Sequence, residues 1–272
     1  MCALKVAAAQ LEITLGQPES NIAGARRLLA EAKQQGAELV LLPELWTTGY
    51  DLERTADHAV NLTSDPDNAI AKLAREFGVY LGGSVLEKSD GKFFNSFTIY
   101  SPAGELLAVY RKLHLFAPLR EPVFLSAGDE PVTIELPWGK TSLAICYDLR
   151  FPELFRSYAL NGTRLMLVCA EWPHPRLEHW RTLLRARAIE NQAYVVACNA
   201  VGRANDTVFF GHSMIINPWG EVLAESGESE TTLFAELDLA QVDQIRAQFP
   251  VFADRREELF SHKKAQKAQK FN

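Results

Sequence analysis

The stretch Ser142-Leu143-Ala144-Ile145-Cys146-Tyr147-Asp148-Leu149-Arg150-Phe151-Pro152-Glu153 limits most strongly what this chain can fold into. It is an apolar strand that runs directly into a cysteine and then, at Pro152, into a helix start. A thiol delivered there sits near free backbone N–H groups and the positive end of a helix, and both favour a thiolate. The same pattern also fits a structural cysteine, because free thiols are among the most buried side chains. The choice rests on partners elsewhere in the chain.

Strands and helices alternate around this element. Lys5–Gln10 reads as a buried strand and Pro18–Gln35 as a helix that turns Ile22, Leu28 and Leu29 inward and stops at Gly36. Glu38–Leu42 is a continuous apolar strand ending at Pro43-Glu44. Ser64 and Asp65 are candidate caps for a helix through Phe77 that ends at Gly78, followed by a strand over Val79–Leu86. Asp90-Gly91 and Ala103-Gly104 are turn signals around Phe93–Tyr100 and Leu106–Arg111, which predicts antiparallel hairpins.

The second half repeats the plan. The strand reaching Cys146 is followed by a helix from about Pro152 to Leu160, a strand over Leu165–Cys169, a helix from about Arg176 to Asn191 and a strand over Tyr194–Asn199. Further strands are expected over Ile215–Pro218, Val222–Ala224 and Leu233–Leu237, the first two turning at Trp219-Gly220. A faint repeat links Gly36-Ala37-Glu38-Leu39-Val40-Leu41-Leu42 to Gly162-Thr163-Arg164-Leu165-Met166-Leu167-Val168. Each is a glycine helix stop feeding an apolar strand. One sheet would be unusually wide for so many strands, so an α/β fold with two sheets and outer helices is predicted.

Composition narrows the function. A net charge of −6 argues against a nucleic-acid partner, which needs a basic face. No apolar run has membrane-spanning length, and Leu4–Ala9 lacks the basic region and cleavage site of a signal peptide, so a cytosolic protein is expected. The four cysteines, Cys2, Cys146, Cys169 and Cys198, have neither metal-site nor disulfide-frame spacing, and neither a metal nor another cofactor is expected. Lys263, Lys264, Lys267 and Lys270 mark residues from about 255 to 272 as a solvated tail or a helix lying on a partner subunit.

Two charged residues stand where a thiol partner is needed. Glu44 closes an apolar strand, at the same kind of carboxyl-terminal edge as Cys146, where an unused carboxylate is costly. A loop cap is the other reading. Lys112 lies in Tyr110-Arg111-Lys112-Leu113-His114-Leu115-Phe116, between apolar and aromatic residues, although a solvated lysine is the commoner case.

Taken together, Leu42-Pro43-Glu44, Tyr110 to Phe116, and Ile145 to Glu153 resemble the nitrilase, or carbon–nitrogen hydrolase, superfamily along nearly the whole chain. The resemblance implies a four-layer α-β-β-α sandwich in a single domain over residues 1–272, commonly paired into an eight-layer homodimer. Its Glu-Lys-Cys triad maps onto Glu44, Lys112 and Cys146, and a second active-site glutamate onto Glu121, ahead of Leu125-Ser126-Ala127-Gly128. A finer likeness is to the omega-amidase branch. It is carried by Ala170-Glu171-Trp172-Pro173, His179 to Leu184, Arg185 to Gln192, and Cys198-Asn199. Where some relatives carry an amide, this chain has Glu171.

This resemblance implies hydrolysis of a small amide such as 2-oxoglutaramate through a cysteine thioester. Glu44 would be the general base, with Lys112 and the Tyr147 N–H as oxyanion donors. Glu121 would orient Lys112 or the substrate nitrogen. Phe116 and Trp172 are expected to wall the pocket and Arg176 to pair with a substrate carboxylate. His114 is expected to orient or pack, Asp148 and Arg150 to form an ion pair that fixes the elbow, and Trp138, Trp180 and Trp219 to pack. A nitrilase or N-carbamoyl-amide hydrolase would use the same triad, and a non-catalytic binding module would have no need of it.

Overall fold

The computed structural model describes residues 3–62, 68–256 and 259. The first half contains β1 (Leu4–Gln10), α1 (Pro18–Gln34), β2 (Leu39–Leu41), the one-turn α2 (Thr55–His58), α3 (Ala69–Phe77), β3 (Tyr80–Ser89), β4 (Lys92–Tyr100) and β5 (Leu106–Arg111). The one-turn α4 (Glu121–Phe124), β6 (Thr133–Leu136), β7 (Gly139–Ile145), α5 (Pro152–Leu160), β8 (Leu165–Ala170), α6 (Leu177–Asn191) and β9 (Tyr194–Asn199) follow. The chain continues with β10 (Val201–Ala204), β11 (Thr207–Phe210), β12 (Met214–Ile216), β13 (Val222–Glu225), β14 (Thr231–Leu237) and α7 (Ala240–Gln248).

Among the described residues these strands form two six-stranded sheets, ordered β14-β1-β2-β3-β4-β5 and β13-β12-β9-β8-β7-β6, plus the β10-β11 hairpin. In the first sheet β1, β2 and β3 run parallel, and in the second β7, β8 and β9 do. Both triplets are flanked by antiparallel strands. The faint repeat in the sequence is therefore structural: β2 and β8, its two strands, are the middle members of the two parallel triplets.

Alternation within each strand sorts side chains between layers. In β1 and β2, Val6, Ala8, Leu39 and Leu41 join the core shared with the second sheet. Ala7, Ala9 and Val40 instead pack with Leu28 and Leu29 of α1 and Leu73 of α3. On the other side α5 and α6 contribute Phe155, Trp180 and Leu184 to the core of the second sheet. The result is the expected α-β-β-α sandwich.

Local signals explain most boundaries. Asn68 caps α3 by accepting N–H bonds from Ile70 and Ala71, both at 3.1 Å. Gly78 ends that helix at φ 59°, a conformation that suits glycine. The expected caps Ser64 and Asp65 lie outside the described residues, as do Cys2 and the lysines of the tail. β6, the β10-β11 hairpin and α7 are additions to the expected elements.

Candidate active site

Four strand ends meet at one buried place. Two residues beyond Leu42, the last of the β2 apolar run, comes Glu44; Lys112 directly follows β5, Cys146 follows β7 and Glu171 follows β8. Glu121, which opens α4, completes the group. Glu44, Lys112 and Glu121 are fully buried, and Cys146 and Glu171 nearly so. Cys146 adopts φ 45°, in the left-handed region. A side chain there costs on the order of 1–3 kcal/mol and needs its surroundings to hold it, which is the signature of a nucleophile elbow.

Lys112 Nζ is the centre of the charged cluster, 2.7 Å from Glu44 Oε1 and 2.6 Å from Glu121 Oε1. Glu44 Oε1 also accepts from Asn95 Nδ2 at 2.8 Å, and its Oε2 accepts the main-chain N–H of Glu171 at 2.8 Å. Tyr50 Oη lies 2.8 Å from both Glu44 Oε1 and Glu121 Oε1. Phe116 N–H donates to Glu121 Oε2. The expected triad and second glutamate are thus in direct contact, and each carboxylate is held from more than one side.

Electrostatics in this enclosure run against the thiolate expected from the strand-to-helix turn. Burial, reinforced by the Glu44 carboxylate, pushes the Cys146 thiol well above its ordinary range, and Lys112 offsets only part of this. The resting group is a neutral thiol in contact with Glu44. Burial alone would lower the Lys112 ammonium, but Glu121 and Glu44 more than reverse this and hold it charged. Glu171 is raised well above the usual carboxylate range by burial and by Glu44, and its Oε1 has no hydrogen-bond partner. It is a neutral carboxylic acid.

Cys146 opens onto a recess of about 210 Å³ lined by Phe116, Tyr147, Arg150, Trp172, Pro173 and Arg176. All four residues expected to touch substrate, Tyr147, Phe116, Trp172 and Arg176, therefore share one wall with the thiol. The Arg176 guanidinium lies 5.6 Å from the Phe116 ring centroid, and that of Arg150 lies 4.9 Å from the Trp172 ring centroid. A larger cleft of about 920 Å³ reaches Tyr50 but is walled by Asp51, Glu53, Arg120 and Phe124 and does not contact the thiol. The chemistry belongs to the smaller recess.

Three expectations change. Asp148 does not pair with Arg150: its buried carboxylate accepts from Tyr110 Oη at 2.7 Å and from the N–H groups of Ile145 and His114, and it contacts His114 Nδ1 at 2.7 Å. Arg150 is thereby left to face the recess. Trp219 does not pack inside; it is 47% exposed and meets only the edge of Phe249. The thiolate gives way to a thiol, as above. His114 stacks on Phe151 at 3.6 Å and orients Asp148, as expected of a supporting residue. Trp180 is buried and Trp138 packs on Tyr80.

Tyr50 and Asn95 were not legible as site residues, since only the fold brings Thr-Thr-Gly-Tyr and Phe-Phe-Asn-Ser beside Glu44. Arg150, four residues after the nucleophile, had the signal of proximity.

Residues 5–247 match the model of the carbon-nitrogen hydrolase family. The chain belongs to that family. This carbon-nitrogen hydrolase is 42% identical over 252 residues to a 2-oxoglutaramate amidase of Bacillus subtilis, covering 92% of this chain and 97% of the relative. It is 35% identical to an omega-amidase of Homo sapiens, over 96% of this chain and 98% of that one. Among solved structures it resembles a nitrilase-superfamily member of Saccharomyces cerevisiae, with a TM-score of 0.86, 30% identity, and 94% and 97% of the two chains covered.

Proposed function

We propose that this carbon-nitrogen hydrolase is a cysteine-dependent amidase of small omega-amido acids, with 2-oxoglutaramate as the model substrate and 2-oxoglutarate and ammonia as products. The observation that carries this reading is the recess itself, in which two guanidinium groups, Arg150 and Arg176, stand beside a buried thiol. In a protein of net charge −6, such a paired cation site selects an anionic molecule. The recess is smaller than the ~300–1,000 Å³ sites that take drug-sized ligands, which suits a short substrate.

Glu44 accepts the Cys146 proton as Sγ attacks the amide carbon. Lys112 Nζ and the Tyr147 N–H receive the developing oxyanion. Glu44 then returns the proton to the leaving nitrogen, ammonia departs and a thioester remains. Water, deprotonated by Glu44, attacks the thioester and releases the acid and the thiol. Glu121 fixes Lys112 by the 2.6 Å contact, and Arg176 holds the far carboxylate of the substrate, with Phe116 and Trp172 as walls.

We read residues 1–272 as one hydrolase domain with a tail from about 255, working as a cytosolic homodimer. Exposed Ile189, Trp219 and Phe249 support the dimer by offering apolar surface outside the core. Among the described residues, no helix is long and apolar enough to cross a membrane.

A panel of 2-oxoglutaramate, succinamate, uncharged amides of equal size, nitriles and N-carbamoyl compounds, scored for ammonia release, tests the reading. Faster turnover of the anionic amides is expected. Equal or faster turnover of the neutral compounds overturns the substrate assignment.

A further inference from the structure

Tyr50 lies between the two glutamates that share Lys112. Its Oη is 2.8 Å from Glu44 Oε1 and 2.8 Å from Glu121 Oε1, and 3.4 Å from Lys112 Nζ. A phenol has one proton and donates one hydrogen bond. Two ionised carboxylates at this distance cannot both be satisfied by it. One contact would press two bare oxygens together in a buried site, where an unmade bond is costly. The contact closes only if one carboxyl supplies its own proton.

The surroundings decide which carboxyl that is. Glu44 receives Lys112, Asn95 and the Glu171 N–H and faces the Cys146 thiol, so its charge is widely supported. Glu121 receives only Lys112 and the Phe116 N–H besides Tyr50. More donors favour the charged form, so the proton belongs on Glu121.

We propose that Tyr50 is a positioning residue in a directed hydrogen-bond chain, from the Glu121 carboxyl O–H to Tyr50 Oη and from the Tyr50 O–H to Glu44 Oε1. Glu44 is then the single ionised carboxylate opposite the single ammonium of Lys112. The groups facing the chain agree with this. Cys146, after β7, is a thiol and Glu171, after β8, is a neutral acid, so the enclosure holds one ion pair and no uncompensated charge. Burial and the neighbouring Glu44 also push the Glu121 carboxyl upward against the pull of Lys112. The chain ranks the two carboxylates and directs the thiol proton to the one beside Cys146. This role rests on the amidase reading, but the resting protonation pattern does not.

Infrared spectra of the full-length protein at neutral pH, taken as wild type, Glu121→Gln, Glu171→Gln and Tyr50→Phe, provide the substrate-free test. A protonated-carboxyl C=O band is expected to vanish in Glu121→Gln, separately from the one lost in Glu171→Gln, and to move or disappear in Tyr50→Phe. In turnover, Tyr50→Phe is expected to lower kcat by about tenfold or more, the effect of losing a hydrogen bond to a charged group, with KM little changed. The acid limb of its kcat profile should rise by about one pH unit, because Glu44 has lost a donor. A merely structural tyrosine would leave that limb in place. An unchanged C=O spectrum in Glu121→Gln, or an unmoved acid limb in Tyr50→Phe, overturns the proposal; if Tyr50→Phe does not fold, the wild-type and Glu121→Gln spectra decide alone. A wild type that releases no ammonia from any amide defeats the amidase reading instead and leaves the spectral result standing.

Discussion

The main-chain N–H of Glu171 donates to Oε2 of Glu44 across 2.8 Å, so the end of a strand in one sheet holds a carboxylate delivered by the other. β2 and β8 occupy matching places in their sheets, and their far ends meet here. The repeat visible in the sequence thus has a chemical result, an ionised base from the first copy steadied by the backbone of the second.

Cys146 is predicted to react before the other described cysteines. It borders the recess, whereas Cys169 and Cys198 are fully buried. One equivalent of a small alkylating amide should label Cys146 and abolish activity, as peptide mapping would show, and labelling of Cys169 or Cys198 first would refute the assignment. Cys146→Ala should be inactive yet fold with nearly the wild-type Tm, since little volume is removed.

Glu44→Gln should cost roughly a hundred- to ten-thousandfold in kcat, the range of a lost general base. His114→Asn should keep most turnover while lowering Tm, because His114 acts on the elbow through Asp148. Steady-state kinetics on both variants separate the roles. A dispensable Glu44 with an indispensable His114 would indicate a Cys-His hydrolase.

The buried acid of Glu171 predicts a particular pH dependence of stability. Its folded pKa is raised, so the unfolded chain loses this proton first as pH climbs past the ordinary carboxylate value of 4.5. The stabilising contribution is complete below that value and declines as pH rises toward the folded pKa. The Tm difference between Glu171→Gln and wild type should therefore shift in favour of the variant between pH 4.5 and neutrality. A difference that stays constant with pH, measured by thermal melts, would mean Glu171 is ionised in the fold.

Arg176→Ala should raise KM for 2-oxoglutaramate by about tenfold or more, the effect of losing a charge-assisted contact, and leave uncharged amides nearly unaffected. Parallel KM measurements on the two substrate types give the answer. An unchanged KM for the anion would remove Arg176 from the site.

Much of this was legible because strand ends can be read locally. Glu44, Lys112 and Cys146 each terminate or follow an apolar run, and apolar runs mark buried strands whichever sheet they join. Tyr50 and Asn95 carry no such mark, because their importance comes from chain segments about 45 residues apart meeting across β3 and β4. Asp148 and Arg150 misled for the opposite reason. Their closeness in sequence suggested a pair, but Tyr110 and His114 from a distant loop had already taken the carboxylate. The short β6 strand, Thr133–Leu136, follows a polar Gly-Asp-Glu-Pro run that reads as a loop and pairs only with β7.

The sandwich gives the heated protein a single point of failure. Base and ammonium come from one sheet and thiol and clamping amide from the other, so slippage between the layers by the length of one bond separates the proton acceptor from its donor while both sheets still look intact by circular dichroism. Turnover should therefore disappear at a lower temperature than secondary structure, making catalysis a finer gauge of how the two halves are seated than any spectroscopic measure of either half.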